Sequence, residues 1–67
     1  MKLDNEKLEI AMAEQGVIYK DLCERAGLSD VGLRKIRTGE RNPKPATIGK
    51  IAKALGVPVQ NIIGEGE

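Results

Sequence analysis

Between residues 19 and 41 the sequence places Tyr19, Lys20, Arg34, Lys35, Arg37, Thr38 and Arg41, a set of donors suited to phosphate and polar-edge contacts. Lysine and arginine meet phosphate oxygens through charge-assisted hydrogen bonds, and tyrosine and threonine hydroxyls add neutral ones. Bond-making chemistry is poorly served. With no histidine and a single cysteine, Cys23, the chain assembles neither a nucleophile–base pair nor a zinc-ligand set, and it has no glycine-rich phosphate loop. Cys23 reads as a small buried hydrophobe at a helix–helix approach rather than as a redox or catalytic group. An enzyme is therefore the weakest of the function classes considered.

The charge distribution supports the same chemistry. Residues 20–53 hold nine basic side chains against four acidic ones, while the ends carry more acid than base, and the whole chain is only +1. Local potential, not total charge, attracts a polyanion. A lone aromatic, Tyr19, makes no stacking platform for single strands. At 67 residues with 40% hydrophobic and 31% charged side chains, the composition fits one globular domain, 1–67, that buries only roughly 60% of its unfolded surface. No apolar run approaches the ~20 residues a bilayer requires, and residues 1–5 lack the order of a signal peptide, so the expected address is cytoplasmic.

The elements that position these groups follow from periodicity and punctuation. Asp4 suits the N-cap of a first helix ending near Gln15 at Gly16, with Leu8, Ala11 and Met12 facing inward and Ile10 off that stripe. A second helix over 19–26 packs through Leu22, Cys23 and Ala26 and turns at Gly27; Ser29 then caps a third over 30–38, which stops at Gly39. Two short helices joined so tightly, over 19–38, form the helix-turn-helix pattern. At 100° per residue Leu33 and Ile36 point one way, and Val31, Arg34 and Lys35 point the other.

Lys35 suits guanine O6 and N7 or a phosphate, and Val31 a thymine methyl. Asp30 has two readings, an acceptor from cytosine N4 and a local stabiliser of the helix N-terminus. Gly32 costs about 1 kcal/mol of helix propensity; an exposed glycine there would let backbone approach a groove wall, and poor optimisation of the helix is the other reading. The free N–H groups at the start of the second helix, with Tyr19 and Lys20 beside them, suit a phosphate; a core role is the other reading of Tyr19. Pro45 opens a fourth helix with Ile48, Ile51, Ala52 and Leu55 on one face, and Pro58 a short last helix with Val59, Ile62 and Ile63. These last three serve either a homodimer interface or the cover of the core. Residues 64–67 should be frayed.

The run Leu22-Cys23-Glu24-Arg25-Ala26-Gly27-Leu28, then Leu33, Ile36, Gly39, Pro43, Thr47-Ile48 and Ile51-Ala52-Lys53-Ala54-Leu55-Gly56-Val57, resembles the phage repressor and Cro (Xre) class of helix-turn-helix regulators. The resemblance covers nearly the whole chain. It implies an all-α, compact five-helix, lambda-repressor-like domain whose third helix enters the major groove of a double-stranded DNA operator, commonly as a dimer, with no cofactor. By position it implies base-reading roles for Ser29, Asp30, Val31, Gly32 and Lys35, to which the outward direction adds Arg34. It implies phosphate roles for Tyr19, Thr38 and Arg41, to which Lys20 and Arg37 are added as neighbouring donors. Members of the class often pair an arginine late in the first helix with a glutamate near the end of the third. Here those positions are Met12 and Arg37, which removes that pair and frees Arg37 for phosphate. A protein-interaction or antitoxin module on the same fold is the alternative function.

Overall fold

The computed structural model describes residues 2–64. Four α-helices follow one another: α1 Asn5–Gln15, α2 Tyr19–Ala26, α3 Asp30–Thr38 and α4 Pro45–Leu55. The chain then makes a single 3-10 turn, Val59–Asn61, in place of the expected fifth helix. The residues that would extend a helix, Ile62, Ile63 and Gly64, pair instead with Lys2, Leu3 and Asp4. The expected fraying of 64–67 falls, beyond Gly64, outside the described residues.

Each helix begins and ends where its punctuation demands. Asp4 accepts from the Lys7 N–H at 3.1 Å and Ser29 from the Gly32 N–H at 2.9 Å, so α1 and α3 carry side-chain N-caps. Helices α2 and α4 begin at Ile18 and Lys44 without one. In α4 the loss is small, because Pro45 at the first position has no N–H to satisfy. All four helices stop at a glycine with positive φ. At Gly27, with φ 71°, this left-handed residue is what lets the chain turn between α2 and α3.

The core is built mainly by α4, through Ile48, Ile51, Ala52 and Leu55, against Leu8 and Ala11 of α1, Leu22, Cys23 and Ala26 of α2, and Leu33 and Ile36 of α3. Val17, in the link between α1 and α2, is buried with them, while its neighbour Ile18 faces solvent. The C-terminal residues correct the assignment of the last apolar cluster. Ile62 is fully buried in its own chain and is therefore core, not a free dimer surface; Val59 and Ile63 are half-buried against that core.

Leu3 closes the same end of the molecule. It pairs with Ile63 as an isolated antiparallel bridge, with Asp4 N–H donating to Ile62 O and Gly64 N–H to Lys2 O, each at 2.9 Å. Lys7 Nζ adds a bond to Ile63 O at 3.1 Å. The two ends of the described chain are thus tied together beneath α1. No helix among the described residues is long and apolar enough to cross a membrane.

Candidate nucleic-acid interface

Helix α3 buries one narrow stripe and leaves most of its circumference in solvent. Leu33 and Ile36 are buried; Asp30, Val31, Arg34 and Lys35 are exposed, Val31 to 56% although it is apolar. Val31 is thus an apolar side chain set among the charged Asp30, Arg34 and Lys35. Lys35 stands beside it, exposed and outside both ion pairs found among the described residues. Arg34 and Asp30 hold each other at 3.1 Å across one turn, both more than half exposed. Such a pair is worth only a few tenths of a kcal/mol, so either side chain is cheaply released to another partner.

Gly32 has a different reason from the one its sequence suggests. It is half-buried, and a Cβ built on it would sit 2.9 Å from Ser29 Oγ. The glycine makes room for the N-cap hydroxyl that accepts from its own N–H. Arg41 Nη1 lies 4.0 Å from that same Cβ position, so the guanidinium of the loop after α3 returns alongside the first turn of α3. The Arg41 N–H, donating to Lys35 O at 3.2 Å, fixes this return. Thr38 Oγ1 donates to the same carbonyl at 3.2 Å, and its exposed side chain keeps its acceptor capacity.

At the start of α2, Lys20 is exposed and Tyr19 half-buried. Burial, with the nearby Cys23 and Asp30, holds the Tyr19 phenol above its ordinary value, and Arg37 only partly opposes them. The phenol is thus a neutral hydroxyl at ordinary pH, able to donate. Burial also pushes the Cys23 thiol up, with Asp30 and Glu24 adding to it. A thiol kept protonated is a poor nucleophile, which supports its packing role. No group of His, Cys, Asp or Glu residues among those described could hold a metal ion.

Arg37 departs from expectation. With Met12 in place of the usual arginine it is still not left unpaired: Arg37 Nη2 donates to Glu9 Oε2 at 2.9 Å and Nε to Asn5 Oδ1 at 3.3 Å, while Asn5 Nδ2 donates back to Arg37 O at 2.6 Å. The guanidinium carbon also lies 5.5 Å from the centre of the Tyr19 ring. An ion pair between the first and third helices survives with its polarity reversed and its α1 partner moved back one turn. Asn5 and Glu9, four apart on α1 and one turn short of Met12, are the partners that a position-by-position reading passes over. The visible signal was two polar residues continuing the line of Met12 toward the helix start.

The structure brings Ser29, Asp30, Val31, Arg34, Lys35 and Arg41 along α3 and its return loop, puts Tyr19 and Lys20 at the start of α2, and turns Arg37 inward. Comparison with known proteins gives the family and the fold. The chain is similar to the HTH-type transcriptional repressor RghR of Bacillus subtilis strain 168, with 34% identity over 64 residues, which is 94% of this chain and 47% of that one. It therefore spans about half the length of this curated relative. In fold it is similar to the restriction-modification controller protein C.AhdI from Aeromonas hydrophila, with a TM-score of 0.71, 23% identity, and 84% and 85% of the two chains covered. The helix-turn-helix family model matches residues 8–62. On that match the chain belongs to the helix-turn-helix family, in its phage repressor and Cro (Xre) class of transcriptional regulators.

Proposed function

We propose that this chain is a sequence-specific, double-stranded-DNA-binding transcriptional repressor acting in the cytoplasm, with α3 as the element that enters the major groove. The observation that carries the reading is the outer face of α3, where Val31 and Lys35 stand exposed side by side between Ser29, Asp30 and Arg34. Lys35 donates to guanine O6 and N7, Val31 packs on a thymine methyl, and Asp30, once released from Arg34, accepts from cytosine N4. Ser29 caps the first turn of α3 and Gly32 lies within it, at the end of the helix that this reading sets against the groove wall. Phosphates flanking the groove are held by Tyr19, Lys20, Thr38 and Arg41.

Binding as a homodimer would place the two copies of α3 on half-sites about one DNA turn, ~34 Å, apart. Val59 and Ile63 are the residues of the C-terminal segment still available to such an interface, since Ile62 is committed to the core. The test is selection of bound sequences from a random duplex pool, followed by affinity for the winner at two salt concentrations. An enriched palindrome bound in a salt-sensitive way supports the reading. A folded protein that enriches nothing at low salt refutes it and favours a protein-interaction or antitoxin module.

A further inference from the structure

Resting on the DNA-binding reading above, we propose that Arg37 is a positioning residue: it sets the angle of α3 by joining its last turn to α1 and α2, instead of touching phosphate. Among the described residues, every side-chain hydrogen bond that joins two helices ends on Arg37. Its Nη2 and Nε are committed to Glu9 and Asn5, its carbonyl accepts from Asn5, and the Tyr19 ring of α2 lies against its guanidinium. Its side chain is 26% exposed, against 66% for Arg34 on the outer face of the same helix.

The need for such a tether follows from how little α3 buries. Leu33 and Ile36 are one turn apart, so they fix the depth of the helix but act as a pivot for its tilt. A binding face is useful only when its supporting contacts hold it to within roughly 10–20°. Arg37 lies one residue beyond the pivot and two beyond Lys35, and its planar fork has directional partners. Glu9 is 68% exposed, so the ion pair itself adds little stability. The arrangement as a whole adds direction.

The double variant Asn5→Ala/Glu9→Ala removes both α1 partners and leaves Arg37 intact. Positioning predicts faster amide hydrogen exchange at Arg37, Thr38 and Gly39 in the free protein. It also predicts a loss of affinity for the selected duplex of about 5- to 10-fold, the size of one modest polar contact at tenfold per 1.4 kcal/mol, with non-specific affinity and salt slope unchanged. A phosphate role predicts the reverse, because a freed Arg37 would bind DNA more tightly and with a steeper salt slope; that result overturns the proposal. Unchanged exchange in the last turn overturns it as well. The exchange measurement needs no DNA, so wild-type protein that binds no duplex would refute the regulator reading while the tether is still judged on its own.

Discussion

Helix α4 buries Ile48, Ile51, Ala52 and Leu55 of its eleven residues, whereas α3 buries only Leu33 and Ile36 of nine. The two helices are secured by different means. Helix α4 has no side-chain cap and makes no side-chain hydrogen bond to another helix among the described residues; packing alone holds it. Helix α3 has the Ser29 cap, the Asp30–Arg34 pair and the Arg37 tether. A helix that must keep most of its surface free for a partner cannot be secured by burial, so local polar devices take over. Both carry basic residues outward, with Lys50 and Lys53 exposed on α4, and of the two only α3 combines that charge with an exposed large hydrophobe, Val31, and a returning arginine.

Breaking the packed helix should do the most damage. Ile51 is fully buried, and Ile51→Ala should cost about 2–5 kcal/mol. A chain this size has roughly 3–10 kcal/mol in total, so a urea titration should show a largely unfolded protein or a sharply lowered midpoint. On α3 the large effect should be on binding instead. Lys35→Ala should weaken binding to the selected duplex by about 1–3 kcal/mol, relax preference at one position, and leave the urea midpoint almost unmoved. Arg41→Ala should weaken specific and non-specific binding alike and lower the salt slope by about 1.

Smaller effects sharpen the contrast. Ser29→Ala should cost about 1 kcal/mol of stability by leaving the Gly32 N–H without its cap, read as a lower thermal midpoint. The smallest effect is at alkaline pH. Folding holds the Cys23 thiol and Tyr19 phenol above their ordinary values of 9.0 and 10.0, so it favours their protonated forms. Their contribution is whole below about pH 9 and declines as pH rises through the folded values. Cys23→Ala should flatten the first part of that decline in a series of melts from pH 8 to 11.

Helix positions were legible because they rest on local punctuation. Asp4, Gly16, Gly27, Ser29, Gly39, Pro45 and Gly56 mark boundaries that need no tertiary context, and the Leu22, Leu33 and Ile51 stripes show which faces turn inward. What was hidden depends on contacts between residues far apart in the chain. Leu3 gave no periodic signal, since its burial comes from a bridge to Ile63. Ile62 reads as surplus in the sequence because its burial depends on the fold, in which Asp4 N–H donates to its carbonyl and its side chain joins the core. In the candidate site, the outward direction of Val31, Arg34 and Lys35 followed from helix geometry alone. The use of Arg37 did not, because its partners Asn5 and Glu9 are 32 and 28 residues away. At Gly32 the hidden contact is short-range: the Ser29 hydroxyl occupies the space a Cβ would need.

The central claim, that the outer face of α3 rather than the basic face of α4 meets DNA, is tested most directly by following backbone amide chemical shifts while the selected duplex is titrated in. The account predicts the largest changes at Ser29, Asp30, Val31 and Lys35, with smaller ones at Tyr19, Lys20 and Arg41 and almost none at Lys50 and Lys53. Changes centred on Lys50 and Lys53, with α3 unmoved, would contradict it.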